Sequence, residues 1–62
     1  MKYYGKLENL QKIGYRWNES YKCYQKQKGQ SGVLVYKATK QVEYWGKDSK
    51  DLLQELGALK ND

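Results

Sequence analysis

In one short segment of the chain, every second side chain is basic or aromatic, which is the spacing of side chains on one face of a strand. The members of this basic row are Lys22, Tyr24, Lys26 and Lys28. On an extended strand, side chains two positions apart project from one face at intervals of about 6 to 7 Å. That interval is comparable to phosphate spacing along a nucleic acid strand, and a tyrosine among lysines can stack on a base. We expect the basic row to face solvent, with Arg16 beside it and with Tyr21 and Cys23 facing the core.

The charge distribution also favours an anionic partner. Residues 1–28 hold seven Lys or Arg against two Glu, whereas residues 29–62 hold five Lys against five acids. The net charge of +5 therefore belongs to the first 28 positions. A plainer interpretation stays open, because alternate lysines also solvate an outer strand and stop a sheet edge from pairing with other molecules.

The aromatic residues indicate a second kind of contact. Seven of the nine are tyrosines, and the other two are Trp17 and Trp45. If one helix covers only one face of a sheet, Tyr24, Tyr36 and Trp45 form an exposed patch on the other face. Because such patches usually mark a partner, Tyr36 and Trp45 are candidate partner-binding residues.

The residue types that support catalysis are missing or scattered. The chain has no histidine and a single cysteine, Cys23, so it lacks the usual general base, a redox pair and the ligands of a zinc site. Among the acids, Asp48 and Asp51 already have a role at a helix start. We expect no enzyme activity, no catalytic residues, no cofactor and no metal, and we expect Cys23 to be a small buried hydrophobe.

The elements that position these residues follow from periodicity. Leu7, Leu10 and Ile13 recur at helical spacing before Gly14, which predicts a short helix over residues 6–13 with a left-handed end. From Tyr15 the chain is extended, and the strand over residues 21–28 ends at a glycine-flanked turn. Residues 33–38 read as a central strand and residues 42–45 as a third strand, ended by Gly46.

The closing helix carries the clearest pattern. Its leucines are Leu52, Leu53, Leu56 and Leu59, after an N-terminal stretch with Asp48 and Asp51. Gly57 should weaken its last turn. For the preceding hairpin, a two-residue turn places Val35 opposite Tyr44 and puts Val33, Val35, Val42 and Tyr44 on one face. A three-residue turn instead groups Leu34 and Tyr36 with Val42 and Tyr44.

These patterns predict an α+β fold in one small domain, residues 1–62. It comprises a short N-terminal helix, a three-stranded antiparallel meander and a C-terminal amphipathic helix packed on one sheet face. No run approaches the length of a membrane span, and the N-terminal residues lack a secretory signal, so we expect a cytoplasmic protein without membrane contact. A core this small leaves a homodimer open.

Trp45-Gly46 shortly before an acidic helix start, after a meander, resembles the three-stranded-sheet DNA-binding domains of some phage integrases and plant transcription factors. The resemblance covers at most residues 15–59 and rests on element order. The order is also similar to double-stranded RNA-binding domains and to small toxin ribonucleases, but the latter are expected to carry a catalytic histidine, which this chain lacks.

Two functions are therefore expected from the sequence. The first is nucleic-acid binding through Arg16 and the basic row, in the manner of a phage or mobile-element accessory protein. The alternative is a protein-interaction module or small inhibitor that uses Tyr36 and Trp45.

Overall fold

The computed structural model describes residues 1–59. Its first element is a 3₁₀ helix, η1, and its last is an α-helix, α1, with four strands between them. The bounds are η1 Leu7–Ile13, β1 Arg16–Asn18, β2 Cys23–Lys28, β3 Ser31–Tyr36, β4 Val42–Trp45 and α1 Ser49–Leu59. The strands form one antiparallel sheet in the order β1-β2-β3-β4.

The α+β class is confirmed, but the prediction of three strands is wrong. The extended residues after Tyr15 form a fourth strand of only three residues, a length too short for an alternating pattern to reveal. The turn that returns the chain is held by Asn18, whose Oδ1 accepts hydrogen bonds from the N–H groups of Ser20 (3.0 Å) and Tyr21 (3.2 Å). This Asn-led turn and a positive φ of 53° at Lys22 close the β1–β2 hairpin.

The N-terminal helix is present as a 3₁₀ helix, with its left-handed end at Gly14 as expected. Gly14 has φ 92°, a left-handed conformation that glycine adopts without strain because it has no Cβ. Its N–H donates to the Gln11 carbonyl at 3.2 Å, and the Tyr15 N–H donates to the Leu10 carbonyl at 3.0 Å. Leu10 is the fully buried residue of η1. The tighter helix suits a segment that is held mainly by one anchoring leucine.

In the β3–β4 hairpin, the expected face is right and the expected pairing is wrong. Val33, Val35, Val42 and Tyr44 do share a face, but Val35 lies opposite Val42 and Val33 opposite Tyr44. The connection is longer than two residues, because Tyr36 still pairs with Gln41 and its N–H donates to the Gln41 carbonyl. Lys40, which lies between them, takes a positive φ. A slip of two positions keeps every side chain on its face.

Helix α1 covers this face. Leu52 and Leu56 are buried with Val33, Val35 and Val42, as the leucine pattern predicts. The helix continues through Gly57, and the side chain of Leu59 lies outside what the structure describes. Ser49 fixes the start of α1, since its Oγ donates to the Gly46 carbonyl at 2.7 Å. Within residues 1–59, no helix is long and apolar enough to cross a membrane.

The sheet therefore has two different faces. The covered face packs on α1 and, through Leu10, on η1; the buried Tyr3 and Tyr15 complete the same core. The open face is the opposite one, defined by residues that alternate with Val33 and Val35 and by their cross-strand partners. Its members are Arg16, Asn18, Cys23, Gln25, Gln27, Gly32, Leu34, Tyr36, Glu43 and Trp45.

Candidate functional site

The structure corrects the predicted geometry of the basic row. Lys22 lies in the turn before β2. Tyr24, Lys26 and Lys28 lie opposite Val35, Val33 and Ser31, so they belong to the covered face. Tyr24 packs against the core, and Tyr21, expected inside, is exposed. The row does not form a strand of cations that projects into solvent.

Each lysine of the basic row has a carboxylate partner. The Lys22 Nζ pairs with Glu19 Oε1 at 2.5 Å, the Lys28 Nζ with Asp51 Oδ2 at 3.0 Å, and the Lys26 Nζ with Glu55 Oε1 at 3.2 Å. The Lys26 ammonium also donates to the Ile13 carbonyl at 2.6 Å. The hydrogen bond from Lys22 and a second one from Trp17 lower the pKa of Glu19, and the hydrogen bond to Asp51 raises the pKa of Lys28. These ammonium groups are already satisfied within the molecule.

Three other candidates are brought together. Arg16, Tyr36 and Trp45 come from β1, β3 and β4, and all three lie on the open face. Arg16 and Gln25 also border a shallow polar depression with Gln27. The Asn18 amide donates to Gln25 Oε1 at 3.1 Å. The open face thus combines two aromatic rings, one guanidinium and several amides.

Trp45 lies across the backbone of β3. It is the cross-strand partner of Gly32, where a Cβ would overlap the indole. The ring occupies the space that a side chain at position 32 would fill, while 41% of Trp45 remains exposed. The glycine lets an aromatic ring rest on the sheet with its outer surface free.

Tyr36 is oriented by a carboxylate. Its hydroxyl donates to Glu43 Oε2 at 3.3 Å. Burial raises the pKa of the Tyr36 phenol, and the nearby Glu43 charge and this hydrogen bond raise it further, so the phenol stays protonated at neutral pH. Glu43 itself is exposed and adds a negative charge to the open face at its β4 edge.

Cys23 is buried, as the sequence predicts, but it lies on the open face rather than against α1. It sits opposite Tyr36 and is fully covered. Burial raises the pKa of the Cys23 thiol, with a contribution from Glu43. The thiol therefore stays protonated, which suits a small packing residue.

Sequence reasoning missed Gln25, Gln27 and Glu43 as members of this surface. The alternation of β2 predicts that Gln25 and Gln27 share a face with Cys23, but it does not report which face is open. The prediction turned the face of Tyr21 and Cys23 toward the core, but Tyr21 lies before β2 and is exposed, and Cys23 is buried on the open face.

Unpaired positive charge remains elsewhere on the molecule. Within residues 1–59, eight Lys and Arg side chains lie in no ion pair, against three carboxylates. These cations are Lys2, Lys6, Lys12, Arg16, Lys37, Lys40, Lys47 and Lys50. Lys37 and Lys40 lie in the β3–β4 turn at one end of the sheet, and the backbone of Lys2 bridges to Gln41 beside that turn. The Lys37 Nζ lies 5.7 Å from the centre of the Trp17 ring.

The fold and this surface define a small basic α+β domain with an uncovered sheet face. No protein-family model matches the chain, and no curated protein or solved structure shows significant similarity to it.

Proposed function

We propose that this chain is a non-enzymatic nucleic-acid-binding domain. The observation that supports this most is the excess of unpaired cations, eight against three carboxylates in the described part of the chain. Lysines and arginines without internal partners are free to replace the counterions of a polyanion. Ion pairs within the molecule remove the lysines of the basic row from this set. Arg16, which was predicted beside the row, remains unpaired and lies on the open face.

The proposed contact is the open face together with the basic end of the sheet. Arg16 supplies a guanidinium on β1, and Lys40 supplies an ammonium group in the turn that follows Tyr36. Aromatic rings next to cations are the usual composition of surfaces that hold nucleic acid without strong sequence preference.

Fluorescence anisotropy of labelled oligonucleotides, both duplex and single-stranded, tests the proposal at increasing salt. We expect the protein to bind at least one of the two oligonucleotide forms with micromolar affinity at low salt, and we expect this affinity to fall as the salt concentration rises. Arg16→Gln should weaken binding, whereas Lys28→Gln, the same change of charge at a paired lysine, should have a smaller effect. No binding of either form below about 100 μM at low salt, or binding insensitive to salt, would contradict it.

A second candidate function is a protein-interaction module. The aromatic and apolar side chains of the open face favour it, since Trp45 is exposed and lies with Tyr36 and the half-buried Leu34. Arg16 and Glu43 balance the charge of this face. Tyr, Trp and Arg are enriched where proteins meet. The test is affinity capture from a nuclease-treated lysate with the wild-type chain and with a Trp45→Ala variant. A protein captured by the first and lost with the second supports this alternative, and capture of nucleic acid alone counts against it.

A further inference from the structure

Resting on the proposed function, we infer that the open face binds single-stranded rather than duplex nucleic acid, with bases stacked on Trp45 and Tyr36. The inference starts from the position of the indole. Because Gly32 has no side chain, the Trp45 ring lies over the β3 backbone and presents an outward surface. A base can reach such a surface only when it is not already stacked and paired in a duplex.

The second aromatic ring extends this surface along the same strand. Tyr36 is four residues from Gly32 on β3, which corresponds to about 13 Å along an extended strand. That span allows an extended oligonucleotide to place separate bases on the two rings. The hydrogen bond from Tyr36 to Glu43 limits the rotation of the phenol, so less side-chain freedom is lost on binding.

The charge on the open face is also better suited to a single strand. Duplex recognition depends mainly on many phosphate contacts, but the open face holds one guanidinium, Arg16, and one carboxylate, Glu43. Lys40, in the turn after Tyr36, lies at the end of the sheet, whereas the Lys37 ammonium lies over Trp17 on the covered side. A flexible strand can bend from this basic end onto the aromatic surface, whereas a rigid duplex cannot follow both.

Polar groups between the rings match the exposed edges of unpaired bases. Glu43 can accept a hydrogen bond from an exocyclic amine, and the Gln25 and Gln27 amides both donate and accept. These groups give the surface a means to bind base edges without requiring one sequence.

The experiment uses the intact chain with Trp17→Phe, which leaves Trp45 as the single tryptophan. The probes are an oligothymidylate of about ten nucleotides and a hairpin duplex of similar charge, both in low salt. We expect oligothymidylate to bind at least about tenfold more tightly and to quench Trp45 emission. Trp45→Leu should weaken oligothymidylate binding at least about fivefold, the loss expected for one stacked base.

Two controls separate stacking from loss of structure. The reciprocal variant, Trp45→Phe, leaves Trp17 as the reporter, and its emission should change little because Trp17 lies on the covered side of β1. Circular dichroism should show the fold of each variant. Equal or tighter duplex binding, or quenching of Trp17 rather than Trp45, overturns this inference while the proposed function stands. Absence of binding to both probes overturns both.

Discussion

At the scale of single residues, Tyr15 is the clearest departure from ordinary packing. Its side chain is buried, and its hydroxyl has no hydrogen-bond partner among the described residues. A buried hydroxyl without a partner loses its hydration and gains nothing in return. The adjacent tyrosine of the core differs, because the Tyr3 hydroxyl donates to the Lys6 carbonyl at 2.9 Å.

Tyr15→Phe should therefore stabilise the protein, by about 1 kcal/mol, because it removes a desolvated hydroxyl and keeps the ring. Tyr3→Phe is the matched control and should destabilise by about 1 kcal/mol, since it removes the hydrogen bond to the Lys6 carbonyl, which retains the Asn9 N–H as a donor. Urea unfolding followed by circular dichroism measures both. Equal losses for the two variants would show that the Tyr15 hydroxyl has a partner in solution.

The same phenol predicts a dependence on alkaline pH. Burial raises the pKa of Tyr15, and the neighbouring Glu55 and Tyr3 raise it further, whereas an unfolded tyrosine ionises near pH 10. Above that pH the unfolded state binds fewer protons than the folded state, so the free energy of unfolding falls as pH rises, by up to about 1.4 kcal/mol per unit. Unfolding measured from about pH 8 to about pH 11 should show a shallower decline for Tyr15→Phe. Parallel declines would contradict this assignment.

At the scale of elements, two lysines of the basic row pair with α1 because the repeats of β2 and α1 match. Residues two apart on a strand are separated by about 6.6 Å, and residues four apart on a helix by about 6 Å. Lys26 and Lys28 on β2 thus align with Glu55 and Asp51 on α1. The lysines lie at the margin of the covered face, where their stems pack and their ammonium groups reach the helix.

Loss of one pair should matter more than loss of the other. Lys26 has a side chain only 24% exposed and also bonds the Ile13 carbonyl, so Lys26→Met should destabilise by about 1 to 2 kcal/mol. Lys28→Met removes a more exposed pair and should cost clearly less than Lys26→Met. Thermal and urea unfolding of the two variants makes the comparison. A larger loss for Lys28→Met would mean that Lys26 does not join β2 to η1 and α1.

The approach of Trp45 to β3 gives another prediction at this scale. Gly32→Ala places a Cβ within the volume of the indole, so the ring must swing away from the sheet. We expect a loss of about 1 kcal/mol, since the edge ring can move more easily than a core residue. In a Trp17→Phe background, the emission of Trp45 should shift to longer wavelength. An unchanged spectrum would show that the ring does not rest on Gly32.

Much of the fold follows from local sequence patterns, but these patterns do not show which face of β2 packs against the core. The leucine repeat of α1, the left-handed Gly14 and the valine face of β3 are strong local signals, and all are confirmed. The orientation of β2 depends on charge pairs between residues more than twenty positions apart, which periodicity does not report. The sequence predicted Tyr36 and Trp45 on one uncovered face, but only strand register adds Arg16 to that face and removes Tyr24 from it.

At the scale of the whole molecule, some charged side chains lie in ion pairs and others stand alone on the surface. Glu43 is the exposed carboxylate on the open face, opposite Leu34. Under the proposed function, Glu43→Gln removes like charge from the site and should tighten binding of oligothymidylate about two- to fivefold at low salt, with a smaller gain at high salt. Glu8→Gln is the control, since it makes the same change on η1. Equal gains for both would assign the effect to net charge alone.

The borders of the sheet have a consequence for how this protein meets other molecules. At one border, β1 is only three residues long. At the other, the beginning of β4 pairs with the backbone of residues 1–3, and the Val42 N–H donates to the Met1 carbonyl at 2.8 Å. Both borders are poor templates for an added strand. Lateral growth into fibres or strand-swapped assemblies is thereby discouraged, and an incoming molecule is left to approach the broad side of the sheet.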